Sequence, residues 1–179
     1  MARLFKFAAI LAVAMLAGCE SPAVGAPPKD CPMETAYWAV DGLLDQLADR
    51  DCLGRVLVAT MVDINAVNQT SMFGRQFSEF MSSRLTFRDV DVIHATVRQD
   101  HMLIRQEGQF LLSRDIRNLA ADHNAKTMLV GTYGTTTDQV ILSVRFVSTV
   151  DDATLAAVDF SLDRKEAVQE MLATWHRGW

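Results

Sequence analysis

The stretch "RVLVATMVDI", Arg55 to Ile64, constrains the chain most. It is nearly continuous in apolar residues and rich in β-branched ones, the pattern of a strand buried on both faces. Such a strand needs helices above and below it. "KTMLVGTY", Lys126 to Tyr133, repeats the pattern. Between the two lies "NQTSMFGRQFSEFMSSRL", where Phe73, Phe77, Phe80, Met81 and Leu85 share one helical stripe, with Thr70 or Ser71 placed to cap it. "VDVIHATV", Val90 to Val97, then predicts a second strand, so strand, helix and strand form a right-handed βαβ unit.

The rest of the chain extends this α/β pattern. Glu107-Gly108 between two apolar pieces, within His101 to Leu112, signals a hairpin. Ser113 is placed as the N-cap of the next helix, and Asp115 sits in its first turn, where negative charge is favourable. "QVILSVRFVST" alternates, with Val140, Leu142, Val144 and Phe146 on one face and Ser143 and Arg145 on the other. With "LAAVDFSL" it predicts an antiparallel hairpin, followed by a last helix carrying Val168, Leu172, Trp175 and Trp179 on one stripe. The expected fold is a single compact α/β domain: a mixed sheet of about five strands flanked by helices, ending in an antiparallel hairpin and a final helix.

The N-terminus sets the compartment. Arg3 and Lys6 precede an apolar run, Ala8 to Leu16, too short for the ~20 residues that span a bilayer. This is the build of a secretory signal peptide. It closes on Leu16, Ala17, Gly18 and Cys19, which resembles the lipobox of bacterial lipoproteins. That resemblance makes residues 1–18 the signal peptide and Cys19 an acylated first residue. Glu20, in place of an aspartate, points to the outer membrane. Several acyl chains hold a protein firmly where one does so marginally. Removing Arg3 and Lys6 leaves 15 basic residues against 22 acidic, net −7, so no nucleic-acid surface is expected. All four prolines lie between Ser21 and Met33, which predicts a tether over residues 19–32 and the domain over 33–179. Stretched as polyproline, such a tether reaches roughly 40 Å.

Cys31 and Cys52 leave two readings open. An oxidising periplasm favours a disulfide. A straight helix between them would hold them ~30 Å apart, far beyond the ~7 Å limit for a bridge.

Chemistry is sparse. His94, His101, His123 and His176 make no metal-ligand spacing. "GTYGT" looks like a phosphate loop but lies between strands, without the helix N-terminus such a loop needs. Asp151 and Asp152 read as solvated turn acids, and no nucleophile motif is present. Neither an enzyme nor a cofactor is expected.

Three ordered stretches, "LVATMVDINAVNQTSMFGRQFSEFMSSRL", "RQDHMLIRQEGQFLLSRDIRNLA" and "MLVGTYGTTTDQVILSVRFV", resemble the FlgO family of flagellar outer-membrane lipoproteins. The motif residues are Thr70, Ser71, Phe73, Gly74 and Arg75, then Ser113, Arg114 and Asp115, then Gly131 and Tyr133. Ala153 departs from the glycine usual in that hairpin turn. The resemblance implies a lipid-anchored protein on the periplasmic face of the outer membrane. Its role would be structural, in flagellar assembly or motility, with other flagellar or envelope proteins as partners. It carries no catalytic residue. The alternative is an outer-membrane activator of a cell-wall synthase, which the short tether disfavours. For Gly74 the expected role is close packing of the helix on the sheet rather than anion binding, with Arg75 reaching a carboxylate or backbone carbonyls.

Overall fold

The two apolar runs lie side by side as parallel strands, and everything else is arranged around them. The computed structural model describes residues 25–66, 71–94, 102–104, 110–112 and 114–173. In chain order the elements are α1 (Pro32–Asp45), β1 (Arg55–Val58), β2 (Val62–Asp63), α2 (Met72–Phe87), β3 (Val92–His94), β4 (Met102–Ile104), β5 (Phe110–Leu112), α3 (Arg114–Asp122), β6 (Ala125–Thr135), β7 (Gln139–Ser148), β8 (Thr154–Asp163) and α4 (Glu166–Ala173). The main sheet runs β3-β1-β6-β7-β8, with β2 also pairing β6. β1 is parallel to β3 and β6, whereas β6, β7 and β8 are successively antiparallel. The fold is therefore α/β with a mixed six-stranded sheet. β4 and β5 form a separate antiparallel pair.

The sheet has five strand positions but six strands, because the run from Arg55 breaks. Ala59 still donates its N–H to Leu129 O at 2.9 Å, but Met61 donates to Ser78 Oγ at 2.9 Å instead of to a strand. Ile64, expected in the buried strand, lies past β2 and is 57% exposed. Of the strand expected over Val90–Val97, Val92–His94 is formed; Asp89, at φ 62°, turns the chain just before it, and residues 95–97 lie outside the described set.

Three helices cover one face of the sheet. Ala36, Ala39, Val40, Leu43 and Leu44 of α1, Phe73, Phe77, Met81 and Leu85 of α2, and Val168 of α4 pack with the inward residues of β7 and β8. The alternation read from β7 holds: Val140, Leu142, Val144 and Phe146 are all fully buried. An ion pair ties α1 to α2, with Arg84 Nε and Nη2 donating to the two Asp41 oxygens at 3.0 and 2.5 Å. The Arg84 guanidinium also lies over the Tyr37 and Phe87 rings. The second face is covered by α3, where Leu119 and Ala120 meet Leu57, Ala59, Met128 and Val130.

The structure bears on the cysteines, where two readings stood open, and on the extent of the expected tether. Cys31 and Cys52 are both free thiols. Cys31 caps α1 at one end, and Cys52 is exposed in the 3-10 turn Arg50–Leu53 beyond the other. Fourteen helical residues intervene, about 21 Å of rise, which a disulfide cannot bridge. The proline-rich segment is not wholly a free tether either. Trp38 Nε1 donates to Gly25 O at 2.6 Å, Thr35 Oγ1 to Pro28 O, and Asp163 N to Lys29 O at 3.0 Å, while Lys165 pairs with Asp30. Residues 25–31 thus belong with the domain. In the β7–β8 turn the left-handed position falls on Asp152, at φ 60°. Ala153 need not be glycine, since an aspartate tolerates that region.

Candidate functional site

Two of the three family motifs meet at the start of α2. Ser71 has extended backbone, φ −88° and ψ 172°, and its Oγ accepts the N–H of Gly74 at 3.1 Å, which is the geometry of an N-cap. Tyr133, 62 residues further on in β6, donates its hydroxyl to the same Ser71 oxygen at 2.8 Å. Both side chains are buried. The Phe73 ring meets Tyr133 edge-on at 5.3 Å and Phe77 at 5.5 Å, and Phe77 in turn stacks on Phe160 at 6.1 Å. Aromatic pairs at such spacings are favourable beyond their buried area.

A second hydroxyl completes the arrangement. Ser78 Oγ donates to Gly74 O at 2.8 Å and accepts from Met61 N at 2.9 Å. The Met61 side chain covers Gly131, where an added Cβ would come within 2.8 Å of Met61 Cε. The β1–β2 break, the first turns of α2 and the β6 strand are thus locked together through Ser71, Ser78, Met61 and Tyr133. Burial pushes the Tyr133 phenol above its ordinary range, partly opposed by its bond to Ser71.

These bonds occupy the backbone donors of the glycine and the arginine. The Gly74 N–H is taken by Ser71 Oγ, and the Arg75 N–H by Ser71 O at 3.2 Å. A bound anion would compete with both, and Gly74 itself is buried. The Arg75 side chain is exposed, and its charge acts on the Tyr133 phenol. Arg114 and Asp115 begin α3, on the other face of the sheet, apart from this lock. Cys19, Thr70, Ser113, Trp175 and Trp179 lie outside the described residues.

Met61 and Ser78 were not legible as site residues. A signal did exist for Ser78: it interrupts the apolar stripe of α2 four residues after Gly74, where a polar side chain needs a buried partner. Among the described residues no three His, Cys, Asp or Glu side chains gather as a metal site. An open depression of about 390 Å³ is lined by Arg50, Asp51, Leu53, Gly54, Arg88, Asp89, Val90 and Asp91. Its charges are of both signs, and Arg88 is already paired with Asp41.

An α/β domain in which serine, glycine and tyrosine of separated motifs serve to seat a helix is defined by its packing. The FlgO protein family model matches residues 37–167, and the chain belongs to that family. No curated protein matches it significantly in sequence. Among solved structures it is similar to the C-terminal domain of Escherichia coli LpoB, at TM-score 0.48 and 13% identity, covering 71% of this chain and 97% of that one. The Salmonella enterica LpoB C-terminal domain gives 0.48 and 11%, covering 71% and 94%. The PelC dodecamer protein of Paraburkholderia phytofirmans gives 0.42 and 13%, covering 68% and 81%.

Proposed function

We propose that the chain is an outer-membrane lipoprotein, held by acylated Cys19 and facing the periplasm, that serves flagellar assembly or motility by occupying a place in an outer-membrane ring or anchor. The observation that carries this reading is the family match over residues 37–167. The site geometry supports a structural role, because the Ser71, Phe73 and Tyr133 side chains are engaged in internal bonds and ring contacts. A fixed address and a domain whose Ser71, Phe73 and Tyr133 side chains are spent internally are what a structural component needs.

Deleting the gene is expected to impair swimming. The Cys19→Ser protein should fail to restore it, because an unanchored copy is free in the periplasm. Soft-agar spreading and electron microscopy of the flagella read both effects. Full motility with normal filaments in the deletion strain would overturn the flagellar role. A β-lactam-sensitive deletion strain with intact swimming would instead favour the activator of a cell-wall synthase.

A further inference from the structure

We infer that the domain is held against the bilayer by one particular end, the end where residues 25–31 dock, and that this end forms a lipid-facing surface. The inference rests on the acylation of Cys19 proposed above.

Strand directions define the two ends. β6 finishes at Thr135, β2, parallel to it, at Asp63, and β8, antiparallel to β7 and so running with β6, at Asp163. Arg164 N donates to Asp138 O at 2.8 Å, joining the end of β8 to the β6–β7 turn. α1 and α2 both begin at this end: Lys29, just before α1, accepts from Asp163 N, and Ser71, the cap of α2, is bonded to Tyr133 near the end of β6. The opposite end collects the loops before β1, β3 and β6 and the β7–β8 turn.

Chain length then ties one end to the membrane. Gly25 is fixed by Trp38 beside the first turns of α1. Six residue steps separate it from Cys19, and at no more than ~3.6 Å each they reach about 22 Å. β6 alone, with 11 residues, is about 36 Å long at ~3.3 Å per residue. While residues 25–31 stay docked, the acylated cysteine therefore lies nearer the α1 start than the far loops.

The apolar side chains of the docked end fit this placement. Met33, Ile64 and Met72, which are 41%, 57% and 42% exposed, all lie at the docked end. Flexible, polarizable methionines and an isoleucine can bury apolar surface in the headgroup boundary. The far end carries exposed Asp49, Asp51, Asp89, Asp91 and Asp151 and, at the end of α3, Asp122, together with exposed Arg50, Arg55 and Lys126. The docked end carries exposed Asp30, Glu34, Asp138 and Glu166, so charge does not separate the two ends and the placement rests on chain reach. Phe87 and Val150 are also exposed at the far end, but the anchor enters elsewhere.

The test uses the full acylated chain in vesicles of phosphatidylethanolamine and phosphatidylglycerol, with Cys31→Ser and Cys52→Ser to clear other thiols. A fluorescent label is placed at Ile64→Cys or at Val150→Cys, and nitroxide-bearing lipid is the quencher. Quenching at Ile64 should be several-fold that at Val150. Adding Trp38→Phe, which frees the Gly25 carbonyl, should narrow that difference. Equal quenching at the two sites, or stronger quenching at Val150, would overturn the orientation while leaving acylation intact. A protein that does not float with the vesicles would overturn the acylation, and the orientation with it.

Discussion

The two faces of the sheet are built from the same strands but not to the same depth. On one, α1, α2 and α4 close over β7 and β8, and the fully buried side chains include Phe73, Phe77, Phe146 and six leucines. On the other, the nine-residue α3 lies against β1 and β6, and alanines supply much of the cover. Farther along β7 on that second face, Ile141 is 53% exposed. β6, under both layers, needs apolar residues at nearly every position, and β7, fully covered on one side only, needs them at every second position. The difference between a continuous and an alternating hydrophobic pattern is thus a record of how many helices lie over each strand.

Truncating one fully buried side chain on each face tests the contrast in depth. Phe77→Ala, in the aromatic row between Phe73 and Phe160, should cost about 3–5 kcal/mol, the range for a large aromatic replaced in a packed core. Met128→Ala, under α3, should fall near the low end for its type, about 2–3 kcal/mol, because a short single helix can settle into the space. Urea denaturation midpoints at constant slope measure both. Equal losses would mean that the second face is as rigidly packed as the first.

Much of this was readable from the pattern alone. The helical stripe of α2, the β7 alternation, the β4–β5 hairpin and the Ser71 cap follow from periodicity and cap chemistry. What escaped depends on backbone groups, which the side-chain pattern does not encode. The break after Ala59 arises because Met61 gives its N–H to Ser78, yet Met61 is as apolar as its neighbours. The docking of residues 25–31 uses the carbonyls of Gly25, Pro28 and Lys29, which any sequence would supply, so prolines there read as a free tether. The joining of Ser71 to Tyr133 spans 62 residues, and nothing local to either residue announces it.

That joining makes a smaller and pH-dependent contribution. Tyr133→Phe removes the hydroxyl bond to Ser71 while keeping the ring against Phe73. At neutral pH it should cost about 1 kcal/mol, the net worth of one such bond. Burial raises the folded-state pKa of Tyr133 above the ordinary tyrosine value, near 10 in the unfolded chain. The folded state then holds the proton more tightly than the unfolded state. This contribution is complete below about pH 10 and is lost as pH rises through the folded value. Stability measured against pH should therefore fall more steeply above pH ~10 in the wild type than in Tyr133→Phe. Parallel curves would show that the phenol is reached by solvent and that the lock at the start of α2 is looser than its distances indicate.

The smallest effect is expected where the second face is bare. Ile141 sits in β7 between Val140 and Leu142, both fully buried on the first face, yet over half of its own surface is open. It pairs across the sheet with Gly134 on one side and Ser161 on the other, neither of which offers a large apolar neighbour. Ile141→Thr keeps the β-branched shape that suits a strand and removes little buried area. Its cost should stay within about 0.5 kcal/mol, as for surface positions without a special contact, whereas the same change at Leu142 would place a hydroxyl in the core without a designed partner. The pair can be compared in one denaturation series. A loss at Ile141 approaching that at Leu142 would mean that the second face is covered along β7 as well, and that the two faces differ in the residues used rather than in depth.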